Sequence, residues 1–339
     1  MEAPALTRGA LLRRSVFPLA VLAVLAVAAV HLLDMRQMGE ALLRARLWPL
    51  AALLGLHLAS TALHALRLRL LLRGAVSFTE AFHANNICNL VNGVLPLRAG
   101  EFAMAVILSR RTRTGGGEVL SNILVDRLLA LLSVFLIFLC ALPFAGRLEG
   151  GVASFARSGA LYALCFLAAV ACLYAVVRLE ERVLRLCVWT LERMPAGSPQ
   201  GREKLVRRLG DVIAGLRVLF TPRTSLPVFG VCLTCWCIIS ALNYCSMLAV
   251  IDDPSPVAAV FLTFFTIVGI MLVATPSGAG TVHGVTVLVL ALFGVAKEQA
   301  LAIAILVHGL VLIANVGLGV LSARAMKFRL GSLWGGKQR

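Results

Sequence analysis

The chain has 339 residues, 60% of them hydrophobic and 14% charged, with a formal net charge of +16. A mean hydropathy of +0.93 places it in a bilayer rather than around a soluble core, and little length is left for a separate soluble catalytic domain. The basic residues lie between apolar runs, as in cytoplasmic loops, and form no patch interleaved with aromatics. That pattern excludes nucleic acid as a partner and suits anionic lipid.

A helix that crosses a membrane needs about 20 apolar residues. Arg8, Arg13 and Arg14 precede "VFPLAVLAVLAVAAVHLL", a run longer than a signal-peptide core and without a clear cleavage site. It is expected to be the first span, 16–33, with its basic flank in the cytoplasm. Further spans are predicted at 48–66, 119–142, 158–177, 227–250 and 299–321. Two more apolar regions, 79–113 and 257–295, are interrupted near the middle by proline and glycine. Each is too long for one span and awkward as two, which predicts a pair of helices meeting at a break within the membrane.

If each interrupted region enters and leaves on one side, the basic loops fall together. Arg67, Arg69, Arg73, Arg110, Arg111 and Arg113 become cytoplasmic, with the 178–226 segment and the tail bearing Arg324, Lys327 and Arg329. Both termini are then cytoplasmic, and the acidic "IDDPSP" loop at 251–256 lies outside. The 34–47 loop, with Arg36, Arg44 and Arg46, is the exception. Within 178–226, Arg182, Arg185, Arg207 and Arg208 alternate with leucine and valine, as in amphipathic helices at the cytoplasmic surface. "PAGSPQG" at 195–201 divides that segment.

The expected fold is therefore all-α: a polytopic integral membrane protein in one membrane domain, 1–339, with about six full transmembrane helices plus two broken, re-entrant helical hairpins. Shifting the first interrupted region by 180 residues lays Pro96 on Pro276, Ala99 on Ala279, Gly100 on Gly280 and Glu118 on Glu298. The repeat cores are 79–142 and 257–321, and the topology makes them inverted. Paired interrupted segments of that kind point to a midplane substrate site, because freed backbone groups at membrane depth must be buried in protein or face a wet cavity.

The polar residues of these regions are the candidate binding residues. Arg98 and Glu101 share a helix face. They form either an ion pair that locks the hairpin or a site where Arg98 meets a lipid phosphate beside the helix start near Gly100, with Glu101 orienting it or exchanging protons. Asn85, Asn89 and Asn92 form a polar stripe, joined by Asn86, that lines a cavity, bonds between helices or caps the broken backbone. Asp126 and Arg127 are neighbours and cannot face each other on a helix. Each needs its own partner among Arg98, Glu101 and Arg110, in a structural network or in contact with substrate. His283 and His308 take polar positions where the first region has charges, as a proton relay or as neutral packing groups. Ser277, Gly278, Gly280 and Thr281 offer backbone donors for a weaker anion nest.

Cys140, Cys165 and Cys172 lie inside apolar spans, where cysteine packs as a small hydrophobe. The same is expected of Cys232, Cys235 and Cys237 in "CLTCWC", which lack an obvious fourth metal ligand. There is no Walker A loop, catalytic carboxylate pair or nucleophile elbow. No cofactor or metal is expected, and the chain is not read as an enzyme.

The segments "GVLPLRAGEFAMAVILSRRT", "VDRLLALL" and "TPSGAGTVHGV" resemble, in the same order, the landmarks of the lysylphosphatidylglycerol synthase transmembrane region, the flippase-like domain. The likeness covers roughly residues 15 to 325. It implies a polytopic membrane domain associated with moving lipids or lipid-linked precursors between leaflets. By position Arg98, Glu101, Asp126 and Arg127 match its polar landmarks, whereas Thr281 to His283 stand where the family often has a glycine-rich link and a Glu. Larger relatives carry an aminoacyltransferase domain after the membrane part. Here the membrane module alone is expected, without lipid aminoacylation.

The leading expectation is a translocator of the bacterial-type inner membrane, flipping or scrambling an anionic phospholipid or polyprenyl-linked lipid bound near the broken helices. The alternatives are a non-transporting partner that presents lipid to a separate lipid-modifying enzyme, and an intramembrane lipid-modifying transferase.

Overall fold

The computed structural model describes residues 35–94, 99–111, 116–145, 157–193, 206, 210, 213, 221–273 and 275–328, and the regular elements among them are helical. The expected span 16–33, the divider at 195–201, Pro96, Arg98 and Arg113 lie outside the described residues. In chain order the helices are α1 (Met35–Leu43), α2 (Leu47–Leu71), α3 (Phe78–Val94), α4 (Gly100–Arg111), α5 (Gly116–Ala145) and α6 (Gly159–Arg178). They continue with α7 (Glu180–Arg193), α8 (Pro222–Leu248), α9 (Pro256–Leu272), a 3₁₀ turn (Pro276–Gly278), α10 (Thr281–Ala291) and α11 (Lys297–Ala325).

Among the described residues five helices, α2, α5, α6, α8 and α11, are long and apolar enough to cross a membrane. The protein is an all-helical polytopic membrane protein. These helices contain or closely follow the apolar runs at 48–66, 119–142, 158–177, 227–250 and 299–321, and most extend beyond them. A backbone hydrogen-bond ladder need not stop where side chains turn polar. Each interrupted region folds as two short helices, α3 with α4 and α9 with α10.

Two series of like length follow one another: 25, 17, 12 and 30 residues for α2 to α5, then 27, 17, 11 and 29 for α8 to α11. The leading helices pack against each other in opposite directions. The Arg46 N–H donates to the Ala249 carbonyl at 2.9 Å, the Cys235 thiol to the Ser60 carbonyl at 3.8 Å and Arg67 Nη1 to Cys232 Sγ at 3.6 Å. Residue numbers thus rise along α2 as they fall along α8. Arg46 also pairs with Asp252, and Arg36 with Glu40 at 3.3 Å. Two of the three arginines in the exceptional 34–47 loop therefore have a counterion.

Small residues set the closest approaches. A methyl group on Gly100 would collide with the Cys88 carbonyl, so α4 turns back tightly along α3. In α9 the same addition to Gly269 would lie 2.9 Å from Val285 Cγ2 of α10. A Cβ on Gly319 of α11 would come within 2.5 Å of Leu90 Cβ on α3; such positions let helix backbones approach closely. One apolar cluster gathers Leu68, Ile87 and Leu108 from α2, α3 and α4. A second gathers Phe138, Phe261, Leu290 and Ile303 from α5, α9, α10 and α11, with Phe138 stacked on Phe264 at a centroid distance of 4.2 Å. Helix α6 buries no residue in the protein. Helix α7 exposes Leu186 and Trp189 beside Arg182 and Arg185, a pattern suited to a membrane surface.

Candidate functional site

The most deeply buried charge is one that hydropathy assigned to a loop. Arg67 is 1% exposed and lies on the last turns of α2. Its Nη2 donates to Asp126 Oδ2 at 2.8 Å, and its Nε meets Asp126 Oδ1, so the guanidinium fork grips the carboxylate from α5 at two points. Arg67, which lies just past the expected span 48–66, is thus a buried residue within α2. The run "LRLRLLL" keeps α2 helical past its apolar stretch, and a buried Asp126 demands a cation because an unpaired charge in a low dielectric is very costly. His64, one turn before, accepts from Arg67 Nη2 at 2.9 Å and stands 3.5 Å from Cys235 Sγ. Cys232 and Cys235 are buried against this cluster, whereas Cys237 is exposed. Among the described residues no three His, Cys, Asp or Glu side chains are placed to hold a metal ion.

Arg127 turns away to a second acid. Its Nη2 is 3.2 Å from Glu101 Oε1, while its Nη1 is 3.9 Å from Asp126 Oδ2. Asp126 and Arg127 thus have separate partners, as helix geometry requires. Glu101 is the anticipated one, and Arg67 had not been anticipated. Side-chain exposure separates the two pairs: 2% and 9% for Arg67 and Asp126, against 27% and 17% for Arg127 and Glu101. The outer pair is the reachable one. Glu101 sits in the first turn of α4, where the exposed N–H groups favour an anion.

The breaks lie beside this cluster. Asn92 Oδ1 accepts from the Gly100 N–H at 2.8 Å and so caps the start of α4. Asn85 and Asn89 are half-buried. The Asn85 amide nitrogen and both polar atoms of the fully buried Asn86 side chain find no hydrogen-bond partner among the described residues. In the second break Ser277, Gly278 and Gly280 take φ values of 58°, 74° and 80°, a region that Gly tolerates and Ser seldom adopts. Thr281 Oγ1 donates to the Val273 carbonyl at 3.3 Å and lies 3.3 Å from Thr275 Oγ1, closing the gap. The breaks touch: a Cβ on Gly93 would be 3.5 Å from Ser277 Oγ.

His283 and His308 also come together, with ring centroids 5.1 Å apart. His283 Nδ1 accepts a long hydrogen bond from the Gly280 N–H at 3.4 Å, which marks the start of α10 as Asn92 marks that of α4. Further along α11, Asn315 meets His57 of α2 at 3.2 Å and Ser322 meets His83 of α3 at 3.0 Å.

Broken helices, an acid on the first turn after the break and an Asp-Arg pair on the next long helix occur here in the order of one family's landmarks. Residues 15–319 match the family described as Lysylphosphatidylglycerol synthase TM region. The chain belongs to that family. No curated protein and no solved structure gave a significant match. For a lysylphosphatidylglycerol synthase TM region protein the role is a lipid-related one in the membrane. Within this cluster Arg127 and Glu101 form the more exposed pair, and the sealed Arg67–Asp126 pair ties α2 to α5.

Sequence reasoning missed His64, His57, His83 and Arg67. Arg67 had a signal: leucines resume after it, at Leu68 and from Leu70 to Leu72. The histidines had none beyond their position within apolar helices.

Proposed function

We propose that the protein translocates an anionic phospholipid or lipid-linked precursor between leaflets. In this reading α2–α5 and α8–α11 are inverted repeats whose short helices are re-entrant, in a bacterial-type inner membrane with cytoplasmic termini. The observation that carries it is the meeting of the two breaks at Gly93 and Ser277 beside the partly exposed Arg127–Glu101 pair. Backbone interrupted at membrane depth suits a cavity, and intramembrane charges that remain reachable suit a polar cargo.

The phosphate of the headgroup takes the place of Glu101 on Arg127, an exchange of one anion for another at the more exposed of the two pairs. Glu101 returns to Arg127 when the lipid departs. Arg98, at the same break, adds a second cation. The opposed repeats alternate which side of the site is open.

Leaflet transfer in proteoliposomes, with labelled anionic and neutral lipids, tests this. Headgroup-selective transfer by wild type is expected to fall about 100-fold or more in Arg127→Ala and Arg98→Ala, a loss typical of a missing positioning or charge-stabilising group. The lysine variants show whether charge alone suffices. Absence of transfer by folded wild type across the panel would sink the proposal. Turnover of a headgroup by the purified protein would then favour a transferase, and activity only with a co-purified enzyme would favour a lipid-presenting partner.

A further inference from the structure

We infer that His283 and His308 together bind one proton, and that the resulting cation receives the anionic headgroup on the second hairpin as Arg127 receives it on the first. The inference rests on the translocation reading for its anion. Its geometry is independent of that reading.

Position supports it first. Arg127 and His308 each stand eleven residues beyond the first residue of their long helices, Gly116 and Lys297. Their partners, Glu101 and His283, lie in the first turns of the short helices that follow the two breaks. Corresponding positions thus meet twice, once as a guanidinium and a carboxylate at 3.2 Å and once as two imidazole rings with centroids 5.1 Å apart and planes 33° apart. The first carries a permanent cation. The second carries one only when a proton arrives.

Hydrogen bonding defines where that proton sits. His283 Nδ1 accepts from the Gly280 N–H, so neutral His283 holds its own proton on Nε2 and the incoming proton is taken by the unprotonated nitrogen of His308, against the His283 ring. A second proton would set two like charges side by side. The pair therefore takes one.

The surroundings leave the charge unneutralised. Helices α9 and α10 contain no Asp, Glu, Lys or Arg, and the charged residues of α11 are Lys297, Glu298 and Arg324 near its ends. The other helices packed on α11 are α1, α2, α3 and α8, and their titratable groups are engaged or turned elsewhere. Arg36 holds Glu40, and Arg67 holds Asp126 with His64 beside it. His57 bonds Asn315, His83 bonds Ser322 and Glu80 bonds Ser77. Arg69 and Arg223 lie near the last turn of α2 and the first turn of α8; the rest of α8 offers Tyr244 and thiols. Among the described residues neither imidazole has a carboxylate partner, and in this reading the anion that pairs with the protonated histidines is the cargo's. Proton and anionic headgroup then bind the second hairpin together and leave together, taking the proton from one aqueous side and releasing it to the other.

The experiment is transfer of labelled phosphatidylglycerol and phosphatidylcholine in proteoliposomes between about pH 5 and about pH 8, using wild type, His283→Gln, His308→Gln and His308→Arg. Phosphatidylglycerol transfer by wild type is expected to fall about tenfold per pH unit above the titration point of the pair, the slope of a single required proton. His283→Gln and His308→Gln should be slow and flat. His308→Arg, with its permanent cation, should be pH-independent and faster than His308→Gln. A flat wild-type profile, or an unchanged profile in either glutamine variant, overturns the inference while leaving translocation standing. If no lipid moves at all, the translocation reading fails, and histidine NMR of the purified protein decides the proton site. Loss of the His308 titration in His283→Gln supports it, and independent titration of the two rings overturns it.

Discussion

Helix α5 is fixed to α2 and α4 through Arg67–Asp126 and Arg127–Glu101. Helix α11, in the corresponding place after the second hairpin, meets α2, α3 and α10 through His57–Asn315, His83–Ser322 and His283–His308. Separating opposite charges in a low dielectric is costly, whereas a neutral hydrogen bond contributes only about 1 kcal/mol net. The same architecture thus has one arm clamped by ions and one arm held by imidazoles. The contrast lies in what one lost contact costs: a severed ion pair strands a charge, and a severed imidazole contact strands none. Four of the six histidines in the sequence lie at contacts with α11.

The largest expected effect breaks the clamp. Arg67→Ala strands Asp126 in the interior and should destabilise the protein by about 3–5 kcal/mol, read as a collapse of the melting temperature in detergent. Arg67→Leu with Asp126→Leu should recover most of that loss, because apolar side chains of similar volume replace a buried pair at little cost. His57→Leu, at the second arm, should cost far less than Arg67→Ala; equal losses would remove the contrast between the arms.

A smaller effect compares two glycines. Gly100→Ala drives a methyl group into the Cys88 carbonyl and to 2.7 Å from Asn92 Oδ1, and should cost about 1–3 kcal/mol as an overpacked site. Gly284→Ala in α10 meets nothing within 4 Å and should leave the melting temperature unchanged or raise it. An intact melting profile in Gly100→Ala would mean that α3 and α4 do not close as tightly as they stand.

The smallest effect lies at the entries of the hairpins. Ser77 Oγ accepts from the Glu80 N–H at 3.2 Å, and Glu80 Oε2 accepts from the Ser77 N–H at 3.0 Å, a reciprocal cap at the start of α3. Ser255, before α9, makes no side-chain cap bond. Ser77→Ala should therefore cost about 1 kcal/mol and Ser255→Ala almost nothing, measured by chemical or thermal unfolding. Equal costs would show that the cap at α3 contributes nothing.

Much of this was legible from the chain. Apolar run length placed α2, α5, α6, α8 and α11, since a bilayer imposes nearly the same span on every helix. Proline and glycine marked both breaks, and Asp126 and Arg127 announced two separate partners because neighbours on a helix diverge. The partner of Asp126 was not legible. Arg67 stands 59 residues away among leucines and arginines, and a hydropathy window reads its charge without reading where the side chain ends. The antiparallel contact of α2 with α8, the touch of Gly93 on Ser277 and the pairing of His283 with His308 were beyond any local pattern as well. Sequence by itself determined the helices, their interruptions and the family, because backbone hydrogen bonding and hydrophobicity act over a few residues at a time. Only the tertiary structure decided which charges are sealed and which remain reachable, because pairing and burial depend on groups brought together from distant parts of the chain.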